Sequence, residues 1–145
     1  MTSGRKIALT AVIVIVGVVG WLAYGLLHTL RGIPEAYAAW DTGTLLIEYM
    51  KQHDDQWPKS WDELLTVVNS EEGRKIPLRG GRPGNIAYVR ALREKVSVDW
   101  AFDPAKLSTG NPVTPIGGGK FSVVWEGAEP NEMIRYYLRN GPDES

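Results

Sequence analysis

The residues best suited to chemistry in this chain of 145 are His53 and the two carboxylates that follow it, Asp54 and Asp55. An imidazole beside carboxylates could ligate a divalent cation. Calcium, however, takes about six or more oxygen ligands, and the sequence has neither an EF-hand loop nor another dense acidic loop. Polar residues also end helices, where an imidazole suits the helix dipole. We therefore interpret the trio as the end of a helix and predict no metal site.

Groups suited to catalysis are equally sparse. The chain has no Cys, which excludes thiolate nucleophiles, disulfides and Cys-ligated zinc or iron–sulfur clusters. It has no Gly-x-Ser-x-Gly motif, and a His-based triad would have to use His53. Asp99 and Asp103 could supply the carboxylates of a glycoside hydrolase, but their local patterns favour a solvent-facing strand position and a helix cap. We expect no catalytic residue, no cofactor and no small-molecule substrate, and hence a non-enzymatic protein.

The glycine-rich run at residues 117–120, which ends in Lys120, partly matches a phosphate-binding loop. In that motif a Ser or Thr follows the Lys and binds magnesium, whereas Phe121 follows it here. Thr114 stands where the first Gly belongs, and the run precedes an apolar, strand-like segment instead of a helix. We predict a flexible hairpin loop.

The charges are balanced overall but not along the chain. With 16 basic and 17 acidic residues, the molecule as a whole has no strong attraction to nucleic acid, and we expect no such partner. From Arg74 to Lys95, however, there are seven basic residues and one acidic residue. This segment either contacts phosphate, nucleic acid or lipid headgroups, or is a solvated loop balanced by acidic surface elsewhere. We favour the solvated loop, because no aromatic residue lies between Arg74 and Ile86 for a base to stack on.

A single apolar segment dominates the start of the chain. Residues 7–27 contain no charge, and twelve of these 21 residues are Ile, Leu or Val. As a helix they would span about 31 Å, the thickness of a hydrocarbon core, and the aliphatic residues would favour insertion by about 4 to 7 kcal/mol. The segment lacks the polar stripe of a soluble helix. We predict a transmembrane helix, whose anchor residues are Ile7, Val14, Val18, Trp21 and Leu27.

Flanking charges predict the orientation of this helix. Arg5 and Lys6 precede the apolar segment, whereas His28 and Arg31 follow it and are soon followed in turn by Glu35 and Asp41, which leaves a basic excess of about one charge in front. Basic flanks tend to stay in the cytoplasm. We therefore predict a cytoplasmic N-terminus, residues 1–6, and an extracytoplasmic domain, residues 28–145, at the inner membrane of the cell.

The alternative to a permanent anchor is a cleaved signal peptide. Residues 23–25, Ala-Tyr-Gly, have the small-x-small pattern of a cleavage site. The apolar region of a signal peptide is, however, only about 7–15 residues long. We favour the uncleaved anchor because the run observed here is longer.

A second helical pattern follows the predicted span. Gly-Ile-Pro at residues 32–34 should interrupt the first helix, after which a long helix is expected over residues 35–53. Apolar residues at spacings of three and four predict that one face of this helix packs on the soluble domain. The predicted buried stripe consists of Tyr37, Trp40, Thr44, Leu46, Ile47 and Met50.

A capping box marks the next helix. Ser60 and Glu63 have the required spacing, which predicts a short helix over residues 61–68. Trp57 and Trp61 are large apolar side chains at its start, and we expect them to pack against the long helix.

The remaining patterns predict a small antiparallel sheet and a terminal helix. Residues 86–92, 96–102 and 121–125 have strand-like composition, and the last two segments would pair as a hairpin. A brief helical turn is expected over residues 104–107, and a terminal helix over residues 130–140. The intervening segments, 69–85 and 108–119, are predicted loops. The predicted fold class is therefore α+β, in which a transmembrane helix continues into a long amphipathic helix packed on a small sheet.

One family has this layout. A short basic leader precedes an apolar helix that continues into an amphipathic one, and residues 56–64 then read Gln-Trp-Pro-Lys-Ser-Trp-Asp-Glu-Leu. The arrangement of residues 5–68 resembles the type IV pilin-like proteins, especially the pseudopilins of type II secretion, many of which have an aromatic-Pro step before a short helix. The family's Gly-Phe-Thr-Leu-x-Glu junction is absent, since residues 4–9 read Gly-Arg-Lys-Ile-Ala-Leu. The resemblance thus implies a pilin-like fold on a permanent tether.

These patterns together predict a single-pass, membrane-anchored structural or interaction module that binds the lipid bilayer and a membrane or extracytoplasmic protein. One alternative is an accessory subunit of a larger membrane complex, in which residues 74–95 meet a neighbour. Another is an extracytoplasmic enzyme or ligand-binding domain with a pocket lined by His53 or Asp99. The residues that we expect to contact a partner are Trp57, Trp61, Arg79 and Arg82.

Overall fold

The computed structural model describes residues 3–106 and 110–142, without the side chains of residues 3–11 and 31. Within those ranges the chain forms four α-helices, two 3₁₀ turns and one two-stranded antiparallel sheet, which confirms the predicted α+β class. The helices are α1 (Ser3–Gln52), α2 (Trp61–Asn69), α3 (Ile86–Leu92) and α4 (Pro130–Asn140). The strands are β1 (Val96–Val98) and β2 (Val113–Pro115), and the 3₁₀ turns are Gly73–Lys75 and Pro104–Lys106.

The chain divides into two compact units, Met1–Ile33 and Pro34–Ser145. The described part of the first unit is helical and contains the predicted span. The second unit has a hydrophobic core to which helices and strands both contribute. Fully buried members of this core are Leu45, Leu46, Met50, Leu64, Val67, Val68, Val89, Leu92, Val96, Val113 and Ile134.

The predicted continuation of the apolar helix into the amphipathic one is confirmed, whereas the predicted interruption at residues 32–34 is wrong, because α1 continues through Pro34. A proline inside a helix removes one backbone hydrogen bond and clashes with the preceding turn, at a cost of about 3 kcal/mol. Residues after the proline offset this cost, since Leu45, Leu46 and Met50 are fully buried and each contributes about 1.5–3 kcal/mol. Tertiary packing therefore overrides the local helix breaker.

The buried face of α1 is rotated relative to the predicted stripe. Leu46 and Met50 are fully buried as expected, whereas Tyr37, Trp40, Thr44 and Ile47 are only half-buried. Small residues at Ala38, Ala39, Thr42 and Gly43 are buried instead. Small side chains let another segment approach closely: a Cβ atom at Gly43 would lie 3.1 Å from the Cα of Pro130 in α4. The apolar spacing missed this face because its most closely packed residues are small.

The capping box at the start of α2 is confirmed in a modified form. The backbone N–H of Glu63 donates to Ser60 Oγ at 3.2 Å, as the motif requires. The Glu63 carboxylate, however, accepts the backbone N–H of Lys59 at 2.8 Å. Two amide donors at the helix start are thereby satisfied, and α2 begins at Trp61 as predicted.

The aromatic side chains around α2 meet the segment that follows β1. The ring of Trp57 contacts Phe102 edge to face at 4.8 Å, and the ring of Trp61 contacts Trp100 at 5.5 Å. Trp57 Nε1 also donates a hydrogen bond to the carbonyl of Asp99 at 2.8 Å. These contacts, which the sequence did not predict, hold the chain after β1 against the start of α2.

Residues 86–92 form α3, so the predicted strand there is wrong. Asn85 is the reason, because its side-chain Oδ1 accepts the backbone N–H of Tyr88 at 3.1 Å and caps a helix. Val89 and Leu92, three residues apart, are buried on the same helical face.

The sheet is smaller than predicted and has a different second strand. β1 covers only Val96–Val98, because the carboxylate of Asp99 accepts the N–H of Ala101 at 3.0 Å and turns the chain. Residues 121–125 are not a strand, and β1 pairs with β2, in a segment predicted to be a loop. Val113 in β2 faces Val98, with both side chains buried.

Asn131 at the start of α4 stabilises the outer edge of β2. Its side-chain amide accepts the backbone N–H of Val113 and donates to the carbonyl of the same residue, both at 2.8 Å. The side-chain amide thus makes the two hydrogen bonds that a neighbouring strand would otherwise make with Val113. Asn131 is itself buried. The terminal helix is confirmed: α4 begins at Pro130 and ends at Asn140, and Gly141, whose φ is 77°, caps it. The helical turn at Pro104–Lys106 is also confirmed, whereas residue 107 lies outside the described residues.

Gly73 allows the chain to pass close to the end of α2. A Cβ atom at this position would lie 1.6 Å from the carbonyl oxygen of Val67, far inside van der Waals contact. We expect Gly73→Ala to lower the free energy of unfolding by about 3 kcal/mol, since main-chain atoms must move. Chemical denaturation of the purified chain in detergent measures this. Gly118→Ala is the control, because no atom lies within 4 Å there and only the positive φ costs about 1 kcal/mol. Equal effects of the two substitutions would contradict the close approach.

Candidate functional site

The N-terminal part of α1 exposes apolar side chains almost without interruption. Among the predicted anchor residues, Val14 is 58% exposed, Val18 51%, Trp21 74% and Leu27 56%. The side chain of Ile7 lies outside the described residues. Soluble proteins rarely leave so large a contiguous apolar surface in water.

One helix in the described part of the chain is long and apolar enough to cross a membrane. Among the residues whose side chains are described, this candidate helix covers Val12–Gln52. It lies near the N-terminus, and none of its apolar window is buried. By length and composition it is a candidate transmembrane helix or signal anchor. The physical basis is that a helix satisfies its own backbone hydrogen bonds and can therefore enter a solvent that offers none.

The four residues predicted to contact a partner have different surroundings. Trp57 is only 8% exposed and belongs to the core, so little of its surface is open to another molecule. Trp61 is half-buried against that core. Arg79 and Arg82 are exposed, and the Arg79 guanidinium lies 4.8 Å from the ring centroid of Trp40. The structure therefore separates two core aromatics from two exposed cations.

A fully buried carboxylate, that of Asp41 in α1, positions the loop that carries these two cations. Its oxygens accept the backbone N–H of Arg79 at 2.7 Å and the backbone N–H of Gly80 at 2.8 Å. The hydroxyl of Tyr88 in α3 donates to the same carboxylate at 2.6 Å. Burial and this hydrogen bond raise the pKa of Tyr88 above its usual value of 10.0.

Asp41 and Tyr88 were missed as a site by the sequence analysis. A carboxylate within an otherwise apolar stretch of helix was the available indication, because an unpaired buried charge is costly. Its partners lie 38 to 47 residues away along the chain, and no local pattern identifies them. The arrangement is that of an organising contact, since it joins α1, the loop that carries Arg79 and Arg82, and α3.

His53, Asp54 and Asp55 lie in separate local environments. His53 stacks on the ring of Tyr49 at 4.0 Å, with Nδ1 2.8 Å from the Tyr49 carbonyl oxygen. The carboxylate of Asp55 accepts the hydroxyl of Tyr137 from α4 at 2.6 Å. Asp54 and Asp55 have φ values of 51° and 60°, which Asp tolerates in turns. Among the described residues, no group of three or more His, Asp or Glu side chains could hold a metal ion.

The other residues considered for chemistry lie in separate turns. Asp99 turns the chain after β1, and Asp103 accepts the N–H of Ala105 at 3.0 Å as a cap. The glycines of the 117–120 run have φ values of 84° to 90° and form an exposed turn after β2. Residues of that run and of α4 line a groove of about 280 Å³, and its polar members include Lys120, Glu129 and Arg135.

Acidification should weaken the contact between α2 and α1. The backbone N–H of Lys59 and the hydroxyl of Tyr49 both donate to Glu63, and they hold the pKa of this carboxyl below its usual 4.5. A lowered pKa in the folded state stabilises the fold above pH 4.5, and that contribution is lost as the pH falls further. We expect Glu63→Gln to lower stability at neutral pH but not in strong acid. Denaturation of both proteins across this range measures the difference; a difference independent of pH would contradict the assignment.

Comparison of the chain with protein-family models, with curated proteins and with solved structures gives no match.

Proposed function

We propose that the chain is a non-catalytic, single-pass membrane protein whose N-terminal helix tethers a small α+β module to the cell membrane. The observation that carries the proposal is the exposure of thirteen large apolar side chains between Val12 and Leu30, each 50% to 74% exposed. Water disfavours such a surface, whereas each aliphatic residue near the centre of a bilayer contributes about −0.3 to −0.6 kcal/mol to insertion. The module contributes a packed core and a polar surface suited to contact with a protein partner.

Membrane fractionation of the full-length chain tests this proposal. We expect the protein to sediment with membranes after cell breakage, to resist extraction by high salt, and to enter solution only with detergent. Full-length protein that stays in the aqueous fraction after ultracentrifugation would overturn the anchor. An intact mass that lacks the first 25 or so residues would instead identify a cleaved signal peptide, whose apolar region is normally about 7–15 residues long.

We further propose that residues 1–6 lie in the cytoplasm and residues 28–145 on the opposite side, at the inner membrane. The support is the pair of basic residues, Arg5 and Lys6, immediately before the apolar run. Protease added to sealed vesicles of each orientation tests this. The domain should be digested only from the extracytoplasmic face, and digestion only from the cytoplasmic face would reverse the proposed topology.

The pilin-like resemblance remains part of this proposal in a restricted form. The long α1 followed by α2 after a Trp-Pro step supports a pilin-like arrangement of residues 5–68. Pilins are processed at a junction with a glutamate, and residues 4–9 contain no acid. We therefore propose a tethered module outside any filament, which would retain residues 1–6 in the mature protein.

The second candidate function is an accessory subunit of a larger membrane complex. The observation in its favour is an apolar groove of about 290 Å³ beside α4, lined by Ile47, Met133 and Tyr136, in which Tyr136 is 49% exposed. Exposed aromatics are enriched where proteins meet. Purification in mild detergent separates the candidates, since a subunit brings stoichiometric partners with it and an isolated module does not.

A further inference from the structure

We propose that a basic loop of the domain binds the phosphates of anionic lipid headgroups. This loop, residues 74–85, carries Arg74, Lys75, Arg79 and Arg82, all of which are exposed. The inference rests on the proposed membrane anchor, because it requires a bilayer within reach of the loop. It goes beyond the expectation from sequence that the segment is a solvated loop balanced by acidic surface elsewhere.

Contacts with Asp41 and Tyr88 hold the backbone of the basic loop in place. Asp41 accepts two backbone N–H groups, those of Arg79 and Gly80, at 2.7 and 2.8 Å. A Cβ atom at Gly80 or at Gly81 would lie 2.3 Å from Tyr88, so the loop packs directly on that ring. A loop fixed in this way loses little conformational entropy when it binds a surface.

The cations of the basic loop form no ion pair with another described residue. In the parts of the chain that the structure describes, the ion pairs involve Lys51, Lys106 and Arg135 and none of the four loop cations. Arg79 is instead held over the ring of Trp40 at 4.8 Å. Charges that remain unpaired on an ordered surface create a positive potential that attracts anions.

An extended anionic surface fits the basic loop better than a small anion or a nucleic acid does. The grooves beside α4 are lined by other residues, so they do not enclose a phosphate against these cations. The two nearby rings are engaged, Trp40 by Arg79 and Tyr88 by Asp41, and neither is free to stack on a base.

The short stretch of chain between the predicted span and the basic loop also favours lipid headgroups as the partner of the loop. The loop contacts α1 at Trp40 and Asp41, and Trp40 follows Leu27, the last residue of the predicted span, by 13 residues. A tether this short raises the effective concentration of the loop at a bilayer that holds the span.

Fluorescence quenching in lipid nanodiscs tests the proposal. The chain contains no Cys, so Pro83→Cys gives a single labelling position in the exposed loop of the full-length protein. The quencher is a spin-labelled headgroup, present equally in phosphatidylcholine discs and in discs enriched in phosphatidylglycerol. We expect stronger quenching in the anionic discs, reduced by added salt. Co-elution of the protein with the discs reports the anchor separately, so failure of the anchor and failure of the loop contact are distinguishable.

A triple substitution, Arg74→Gln with Arg79→Gln and Arg82→Gln, should abolish the lipid-dependent part of the quenching. Each cation held at an anionic surface strengthens attraction about fivefold, so loss of three should lower the bound-to-free ratio of the loop about 100-fold. The matched control removes three exposed cations elsewhere, at Lys59, Lys120 and Arg139, and should keep the quenching.

Three results would overturn the headgroup contact. The first is equal quenching in the two kinds of disc. The second is equal loss in the triple variant and its control, which would indicate net charge alone. The third is loss of quenching on addition of inorganic phosphate at constant ionic strength, which would identify a site for free phosphate instead. Circular dichroism of each variant confirms that it is folded, and a change of Arg82 alone repeats the test if the triple variant unfolds.

Discussion

Replacing Asp41 with Asn is expected to lower the free energy of unfolding of the domain by about 3 kcal/mol, because hydrogen bonds to a charged group contribute about 1.5–3 kcal/mol each. Asp41 is fully buried and accepts three hydrogen bonds, from Arg79, Gly80 and Tyr88. An amide offers a single acceptor oxygen and turns its NH₂ group toward at least one of these donors. Denaturant unfolding of the full-length chain in detergent, followed by aromatic fluorescence, measures the loss.

Two control variants separate the Asp41 contact from a general effect of charge. Glu126→Gln removes an exposed carboxylate and should change stability by no more than about 0.5 kcal/mol. Tyr88→Phe removes one of the three donors and should cost about 1.5 kcal/mol, less than Asp41→Asn. If Asp41→Asn were as mild as Glu126→Gln, this carboxylate would not be what clamps the basic loop.

Placing two charges in the apolar helix should release the protein from the membrane. Val14→Arg and Val18→Arg each oppose insertion by about 2.5–3.5 kcal/mol near the helix centre. Together they cancel the gain of about 4 to 7 kcal/mol that the aliphatic residues of the span provide. We expect most of the double variant to leave the membrane fraction. Immunoblots of sedimented and supernatant fractions measure the change.

The matched control for this pair is Val14→Leu with Val18→Leu, which alters the same positions and keeps them apolar. This control should remain in the membrane fraction. Membrane retention of the double Arg variant at the level of the control would show that these two positions are not in a hydrocarbon environment.

Patterns that depend on neighbouring residues were the ones that sequence could predict. The Ser60 and Glu63 pair predicted the start of α2, and Pro130 with Gly141 predicted the ends of α4, since each feature acts within one helical turn. The apolar run of α1 was predictable for the same reason, because twelve aliphatic residues without a charge need no distant partner to be recognised.

Features that depend on distant residues were missed or misassigned. β2 forms in a glycine- and proline-rich segment because Asn131, 18 residues further along, satisfies the backbone of Val113. Residues 121–125 have better strand composition and do not pair, which shows that composition alone does not choose a partner. α3 was mistaken for a strand because its seven residues are too few for helical periodicity to be distinct, and the cap at Asn85 was overlooked.

The candidate site shows the same limit. Arg79 and Arg82 could be selected from sequence as exposed cations, whereas the carboxylate that holds their loop could not, since Asp41 lies 38 residues before Arg79. Trp57 was expected both to pack against the long helix and to contact a partner, because the sequence does not show how much of a large aromatic side chain stays exposed. Its hydrogen bond to the carbonyl of Asp99, 42 residues away, places it in the core instead.

The location of Val18 is the most direct test of the membrane anchor. Val18→Cys introduces the only thiol in the chain, and a water-soluble maleimide reacts with thiols only where water reaches them as thiolate. In opened membranes we predict that Val18→Cys stays unlabelled until the bilayer is dissolved and the protein denatured, whereas Lys120→Cys labels at once. Labelling of the two variants at equal rates in intact bilayer would contradict the account, because it would place the middle of the apolar helix in water.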